Sequence, residues 1–466
     1  MNHISVVRVL SAVWLGLSAL MLIPLGVAVA YGEVAQQFAL AATLGGVALV
    51  ALLILLLTAK PKRTARSTDG LAVAVLWWIV TPVVAGVPFV LGTAEESIFS
   101  GVHEAMSCLG TSGHTVITLG PNGWPESLLV YRAVLHLIGA CVATATAASV
   151  FAAINLGGAG IHRTELFTIP DESFFDAVPR VVIAAAGVIG LILFVVFIGI
   201  VTATGDPRLA FFDAVSVATT GWVDPLRSAP SSTAHQVILM LGLVAATVGL
   251  AVLFEIKRGA MLSAIRDPEW ATFVVLATAI IALCLMAGLT GWEALGWTIS
   301  MVSTSGIEVD AFNWRDPAPL ALIVLPAFIG GSGLSAAGGV KLGRLFVLAR
   351  RASLEFAQLG YPKSKLTLTF RGRVQSQKAV IGVWVYLIGY ILAVSALALA
   401  LAFLGEDFTP SVLSAVGATA NVGPLVEQAD VAFNATGHTI MVVAQILGRL
   451  EILAVLPALN PSFWRA

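Results

Sequence analysis

The chain has 466 residues, 58% of them hydrophobic and only 11% charged, with 25 Lys+Arg against 26 Asp+Glu. A soluble globule carries about twice that share of charge, so the composition excludes one. Apolar runs of about 20 residues, long enough to cross a bilayer, recur along the whole length. They predict ten spans, 8–31, 38–59, 70–92, 127–156, 181–203, 235–256, 271–290, 317–350, 379–404 and 437–458, and with them an all-α polytopic membrane protein.

In chain order, residues 1–66 hold two hydrophobic helices. The first is too long for a signal peptide and lacks a small-residue cleavage site. With the N-terminus inside, Lys60–Arg66, Arg163, Arg180, Lys257–Arg258 and the stretch Lys363–Lys378 all face the cytoplasm. Four of the 25 Lys+Arg, namely Arg132, Arg208, Arg227 and Arg315, fall at or near the outer face. Acids including Glu104, Asp213, Asp224, Glu308 and Glu427 fill the outer loops, an arrangement expected to concentrate cations at an outer mouth. Arg132, close to an outer end, reads as a side chain that can snorkel. Cys108, Cys141 and Cys284 lack metal-like spacing and read as small packing residues.

From residue 67 a unit repeats four times: long helix, short amphipathic segment, polar turn, long helix. The units are 67–177, 178–266, 267–374 and 375–466, with pore-loop segments at 99–117, 209–224, 292–310 and 408–425. In the first three, an acid is followed by Ala, and a Ser stands five or six residues before the glycine of a hydroxyl-hydroxyl-Gly triplet. The triplets are Thr111-Ser112-Gly113, Thr219-Thr220-Gly221 and Thr304-Ser305-Gly306, and the fourth unit has Asn421-Val422-Gly423 instead. About ten residues precede each triplet, roughly half a bilayer at ~1.5 Å per residue. Such a half-helix re-enters from the outer face, buried in protein or facing water. Four of them aim four partly negative ends at one axis. Extended triplets beyond them then offer rings of carbonyl oxygens that replace the hydration shell of an alkali cation.

The span 317–350 is too long for one crossing and is interrupted by "GGSGLSAAGGVK", Gly330–Lys341. Its glycines discourage regular helix. Gly331-Ser332-Gly333 followed by Ala336 imitates a dinucleotide fingerprint, but neither the preceding strand nor the following acid is there. Small residues also suit close helix contact. The sharper expectation is a broken helix whose middle, Gly330, Gly331, Ser332, Gly333, Gly338 and Gly339, is an intramembrane gate with Lys341 just below. In the last span Arg449 and Glu451 stand among apolar residues, where ionisable groups are functional candidates. Arg449 is expected to face the pore as a positive barrier and Glu451 to meet a neighbouring helix.

These residues together resemble the Trk/Ktr/HKT superfamily of potassium transporters, most closely its TrkH-type subunit, over essentially the whole length. The most specific stretches are "FIGGSGLSAAGGVKLGRL" (Phe328–Leu345), "ILGRLEILAVLPALNPSFW" (Ile446–Trp464) and "ATANVGP" (Ala418–Pro424). Arg132 matches a basic position after the first pore loop. The resemblance implies four pseudo-fourfold repeats around one pore plus two extra N-terminal helices. It implies potassium uptake driven by membrane potential, with a filter of carbonyls from the triplets and a gate at Gly330–Gly339. It also implies a homodimer in a bacterial inner membrane, gated by a cytoplasmic TrkA-like nucleotide-binding subunit. No cofactor is expected on this chain itself, potassium is its substrate, and no nucleic-acid partner is expected. A glycine at the first filter position, here Gly113, goes with potassium selectivity. Departures are Ala140 and Cys141 after Gly139, His114 and Trp222 after filter glycines, and "GPLVE" after Val422.

Other readings are a weakly selective sodium/potassium pathway of the same fold, a scaffold with a dead pore, or a proton-coupled secondary transporter. The last needs paired acids within the spans, where few stand apart from Glu255 and Glu451. An enzyme is not expected, because no metal-ligand cluster or nucleophile–base pair lies at membrane depth.

Overall fold

The computed structural model describes residues 2–58, 67–93, 97–117, 123–153, 174–227, 229–230, 232–249, 266–310, 320–361, 367–371, 373–450 and 458–465. Glu255, Glu451, Arg163, Arg315, Lys257–Arg258 and Lys60–Arg66 therefore lie outside the described residues. Among the described residues seven helical segments are long and apolar enough to span a bilayer, and Thr233–Thr247 and Leu320–Ile329 are shorter apolar helices. Their side chains are arranged inside out relative to a soluble protein. Leu191, Phe194 and Val195 of helix Phe174–Thr204, and Ile388, Ile391 and Leu392 of helix Gln377–Phe403, are exposed apolar groups suited to lipid.

The N-terminal span is two helices, His3–Leu20 and Leu22–Tyr31, joined at Met21. Pro24 lacks the N–H that would continue the ladder, which accounts for the break. Val34–Leu57 returns beside it. The repeat units then follow the sequence pattern closely. Four short helices, Ile98–Leu109, Pro207–Thr219, Gly291–Val302 and Phe408–Ala420, stand at the predicted re-entrant positions, and we refer to them as pore helices one to four. Polar residues stop each at its outer end. The Ser97 hydroxyl accepts from Ser100 N, Asp206 from Arg208 N and Leu209 N, and Thr290 forms a capping box with Glu293, while Asp407 precedes the fourth. From Ala105 to Leu109 and from Ala214 to Thr219 every residue is buried, as helices encircled by others must be.

The ring closes where the last long helix, Ala435–Leu450, packs on pore helix one as well as on pore helix four. Glycines allow the closest approaches. A Cβ on Gly139 would fall 2.7 Å from the Leu109 carbonyl carbon, and one on Gly448 2.9 Å from that of Thr419. Long helices therefore press directly on the inner ends of pore helices one and four.

The span predicted at 317–350 is broken as expected. Leu320–Ile329 ends at Gly330, and helix resumes only at Leu342, running to Gly360. That second helix is amphipathic, with Arg350, Arg351 and Glu355 among its residues, so it leaves the apolar layer rather than completing a crossing. A two-stranded hairpin, Thr369–Phe370 paired with Arg373–Val374, follows it and is the one departure from all-α architecture among the described residues. Phe370 anchors the hairpin in a cluster with Val347, Leu354 and Val380.

Candidate functional site

All four pore helices end in the same unusual way. Thr111, Thr220, Thr304 and Asn421 have φ of 53, 52, 59 and 58°. A non-glycine residue in that left-handed region is uncommon and strained by roughly 1–2 kcal/mol. The turn lets the next N–H cap the helix. Ser112 N donates to Ser107 O at 2.9 Å, Gly221 N to Ser216 O at 2.9 Å and Val422 N to Gly417 O at 2.8 Å. Fourfold pseudosymmetry is thus written in the backbone, and the triplets are not simply extended.

This turn also fixes the register, and the second unit is offset from its triplet. Thr219 is the last helical residue of its pore helix, and Thr220 takes the place held by Thr111, Thr304 and Asn421. Gly221 then corresponds to Ser112, Ser305 and Val422, and Trp222 to Gly113, Gly306 and Gly423. The ring of glycines predicted at Gly113, Gly221, Gly306 and Gly423 is therefore three glycines and a tryptophan at this level. Gly221 still lacks room for a side chain, since its Cβ would lie 2.6 Å from His136 Nδ1.

Neighbouring strands touch. A Cβ on Gly113, whose φ is 84°, would sit 2.5 Å from the Trp222 carbonyl carbon. One on Gly423 would sit 2.6 Å from His114 N, and one on Gly306 2.7 Å from the Pro424 ring. Gly113 and Gly306 need glycine for both conformation and space, Gly423 for space. Pro424 also opens a helix absent from the sequence expectation, Gly423–Ala429.

Behind the strands lie charges that the sequence placed at the outer mouth. Glu104 and Arg132 are fully buried and paired with each other. The Arg132 guanidinium also donates to Gly113 O and, through Nε at 2.9 Å, to Val223 O, so it braces two strands from behind. Glu104 Oε2 accepts from Val116 N at 2.9 Å and Thr115 Oγ1 at 3.1 Å. Arg132 does not snorkel. In the second unit Asp213 pairs with Arg227 and with His235 Nε2 at 2.7 Å, and Arg227 Nη1 donates to Glu308 O at 2.9 Å. Glu104 and Asp213 each stand three residues before the capping Ser, whereas Glu293 stands seven before it and serves its helix's N-terminus. The shared acid-Ala signal therefore located two buried pairs and one cap. Glu104→Gln keeps the shape but leaves Arg132 unpaired; we expect a loss of about 3–5 kcal/mol, read as a lower thermal midpoint in detergent. An unchanged midpoint counts against this bracing role.

The glycine-rich segment sits directly beneath. Val340 N donates to Phe328 O at 2.9 Å, Lys341 N to Ile329 O at 2.8 Å and Leu342 N to Gly331 O at 2.9 Å, closing the loop's neck. Gly330 and Gly339 adopt φ of 72 and 78°, and a Cβ on Gly338 would lie 2.7 Å from the Ala420 carbonyl carbon. The loop is tied upward: Gly338 N donates to Thr304 Oγ1 at 2.8 Å. Arg449 joins both layers, with Nε to Gly110 O at 2.7 Å, Nη2 to Thr111 Oγ1 and Nη1 to Ala336 O at 2.5 Å. Lys341 Nζ turns back to Ala337 O and, at 3.4 Å, Ser335 O. Gly331, Ser332 and Gly333 form the bend of the loop nearest Glu269, where Ser332 Oγ donates to Glu269 Oε2. Arg371 of the hairpin grips that carboxylate at 3.3 Å and Asp267 Oδ2 at 2.6 Å. Sequence reasoning singled out neither Glu269 nor Arg371, because their partners are distant along the chain.

The sequence and the fold have counterparts elsewhere. The family pattern described as TrkH, cation transport protein, matches residues 173–462. The Trk system potassium uptake protein TrkH of Escherichia coli K12 is 24% identical, covering 87% of this chain and 88% of its own. Its namesake from Halomonas elongata is 28% identical, with 87% of each covered. The crystal structure of the potassium transporter TrkH from Vibrio parahaemolyticus superposes with a TM-score of 0.87 over 100% of both chains at 23% identity, which establishes the shared fold. The family is one of transporters rather than enzymes, and the chain is a member of the TrkH family of cation transport proteins.

Proposed function

We propose that this chain is a potassium uptake subunit. The observation that carries the reading is the quartet of left-handed turns at Thr111, Thr220, Thr304 and Asn421, each ending a short helix, with the residues that follow them packed backbone to backbone against one another. Carbonyls of Thr111 and Ser112, of Thr220 and Gly221, of Thr304 and Ser305, and of Asn421 and Val422 form the filter, with Gly113, Trp222, Gly306 and Gly423 setting the path of the backbone beyond them and Arg132 holding the Gly113 carbonyl from behind. Thr219 contributes from the helix end. Such rings select by exchanging hydration for carbonyl oxygens, with helix dipoles favouring the cation. The relatives' names, potassium uptake proteins, support potassium as the ion.

Gly330–Gly339 is the gate, held closed by Arg449, Lys341 and Thr304, with flux driven by membrane potential. The subunit works as a homodimer in a bacterial inner membrane with a TrkA-like cytoplasmic partner, and it binds no cofactor itself. Trp222 in a glycine's place favours one second reading, a less selective sodium/potassium pathway.

The test is growth of an uptake-deficient strain on limiting potassium, with the chain and its regulatory partner present in the membrane. Rescue is expected. No rescue despite membrane expression overturns potassium uptake, and rescue accompanied by comparable sodium entry favours the second reading.

A further inference from the structure

His114, the residue after Gly113, is the inner end of a chain of three buried imidazoles. His114 Nε2 lies 2.9 Å from His103 Nε2, and His103 Nδ1 lies 3.0 Å from His438 Nδ1. His114 Nδ1 faces Ser112 Oγ at 3.0 Å and Ser107 Oγ at 3.2 Å, and Gln445 Nε2 approaches its Nε2 at 3.3 Å. The rings meet edge to face, at centroid distances of 4.9 and 5.2 Å, and Phe433 closes the far side of His103 at 5.7 Å. This is a chain and not a chelate: His103 spends one nitrogen on each neighbour, so the three rings do not converge on a point.

Two proton orders fit the chain, one starting at His438 and one at the Ser112 hydroxyl. The Ser107 hydroxyl donates to His114 O at 2.7 Å, and its oxygen accepts from His114 Nδ1–H in the first order. With neutral rings that order makes His114 Nε2 an acceptor, His103 Nε2 its donor, His103 Nδ1 an acceptor and His438 Nδ1 the donor that begins the series. In it every link depends on His438 presenting an N–H.

The location is specific to one unit. Val223, Ile307 and Pro424 occupy the corresponding place in the other three, and none has a polar side chain. The Ser lock itself recurs, since Ser300 Oγ donates to Ile307 O at 2.7 Å. In the first unit alone is the residue behind the strand wired onward, and His438 and Gln445 both lie on the last long helix. The wire therefore crosses the seam where the fourth unit closes on the first. Gly423 abuts Ser112 and His114 there with no space for a methyl group.

We propose that His103, His438 and Gln445 are positioning residues for the strand Thr111–Gly113, and that the donor-ordered histidine chain sets cation selectivity by holding that strand across the seam. This rests on the reading of Thr111–Gly113 as filter. Without the chain the strand keeps its ties to Arg132 at Gly113 and to Arg449 at Thr111 but gains slack at Ser112 between them, and a carbonyl ring with slack accepts the smaller, more strongly hydrated sodium ion more readily.

The test compares potassium and sodium flux into proteoliposomes for wild type, His438→Asn, His438→Leu and Gly113→Ser. Asparagine places an N–H where His438 Nδ1 stood, and leucine has nearly its volume with no donor. His438→Asn is expected to keep the potassium-to-sodium ratio within about twofold, and His438→Leu to lower it about fivefold to tenfold, the effect of one net hydrogen bond. Equal ratios for Asn and Leu overturn the proposal. If Gly113→Ser changes the ratio while His438→Leu does not, the seam falls and the filter reading stands; if neither changes it, both fall. Should His438→Leu not fold, His103→Gln against His103→Leu asks the same question, because glutamine keeps the donor toward His114.

Discussion

Gly113→Ser is expected to abolish rescue of potassium-limited growth and to lower the potassium-to-sodium flux ratio at least about tenfold. A side chain there meets two obstacles together. The residue sits at φ 84°, and its Cβ would stand 2.5 Å from the Trp222 carbonyl carbon. Backbone cannot rotate away as a flexible side chain does, so the first or second strand must move by about an ångström. A shift of that size in a carbonyl ring is expected to change discrimination by more than the ~1.4 kcal/mol that corresponds to tenfold. Gly45→Ser is the control, since nothing lies within 4 Å of a Cβ at Gly45. Full rescue by Gly113→Ser with an unaltered flux ratio would remove Gly113 from the filter.

The second large effect is expected at Arg449, in the opposite direction. Its guanidinium is buried and joins Gly110 O above to Ala336 O below. Hydrogen bonds from a charged donor are worth about 1.5–3 kcal/mol each, so removing the bridge should shift a closed-to-open equilibrium about tenfold or more. Arg449→Gln, measured by potassium efflux from proteoliposomes without the cytoplasmic partner, should therefore raise the rate. An unchanged or reduced rate from folded protein would show that the bridge does not restrain the loop. Lys341 makes the complementary case. Its bonds to Ala337 O and Ser335 O stay within the loop, so Lys341→Met should loosen the loop without detaching it from Gly110, and the rise should be smaller.

Much of this architecture was legible in the chain itself. Apolar runs located the long helices, and the recurring short segments located all four pore helices, because membrane burial leaves few alternatives. The glycine-rich break was legible for the same reason. The turn register of the second unit was not read correctly, although its clue was present. Ser216 stands five residues before Gly221, whereas Ser107 and Ser300 stand six before Gly113 and Gly306. The capping bond counts from the serine, so the unequal interval meant that Trp222 takes the glycine level. Matching triplets by residue type concealed it.

Charge placement was the other failure. Glu104 and Asp213 lie in outer segments, and hydropathy alone puts them in water. Their burial depends on Arg132 and Arg227, which reach them across the fold, and pairing of that kind has no sequence spacing. His103, His438 and Gln445 escaped for the same reason, since 335 residues separate the two histidines that touch.

The grip of Arg371 on Glu269, and of Glu269 on Ser332, ties the hairpin and the glycine-rich loop together. Phe370 is pinned in the core under the same hairpin, and Gly343 leaves no slack around the Glu269 carboxylate. A pull of an ångström on the hairpin must therefore be delivered to Ser332 or break the partly buried ion pairs of Arg371. A displacement of the hairpin is thus passed to the loop through Arg371, Glu269 and Ser332. The loop carries its handle in the hairpin.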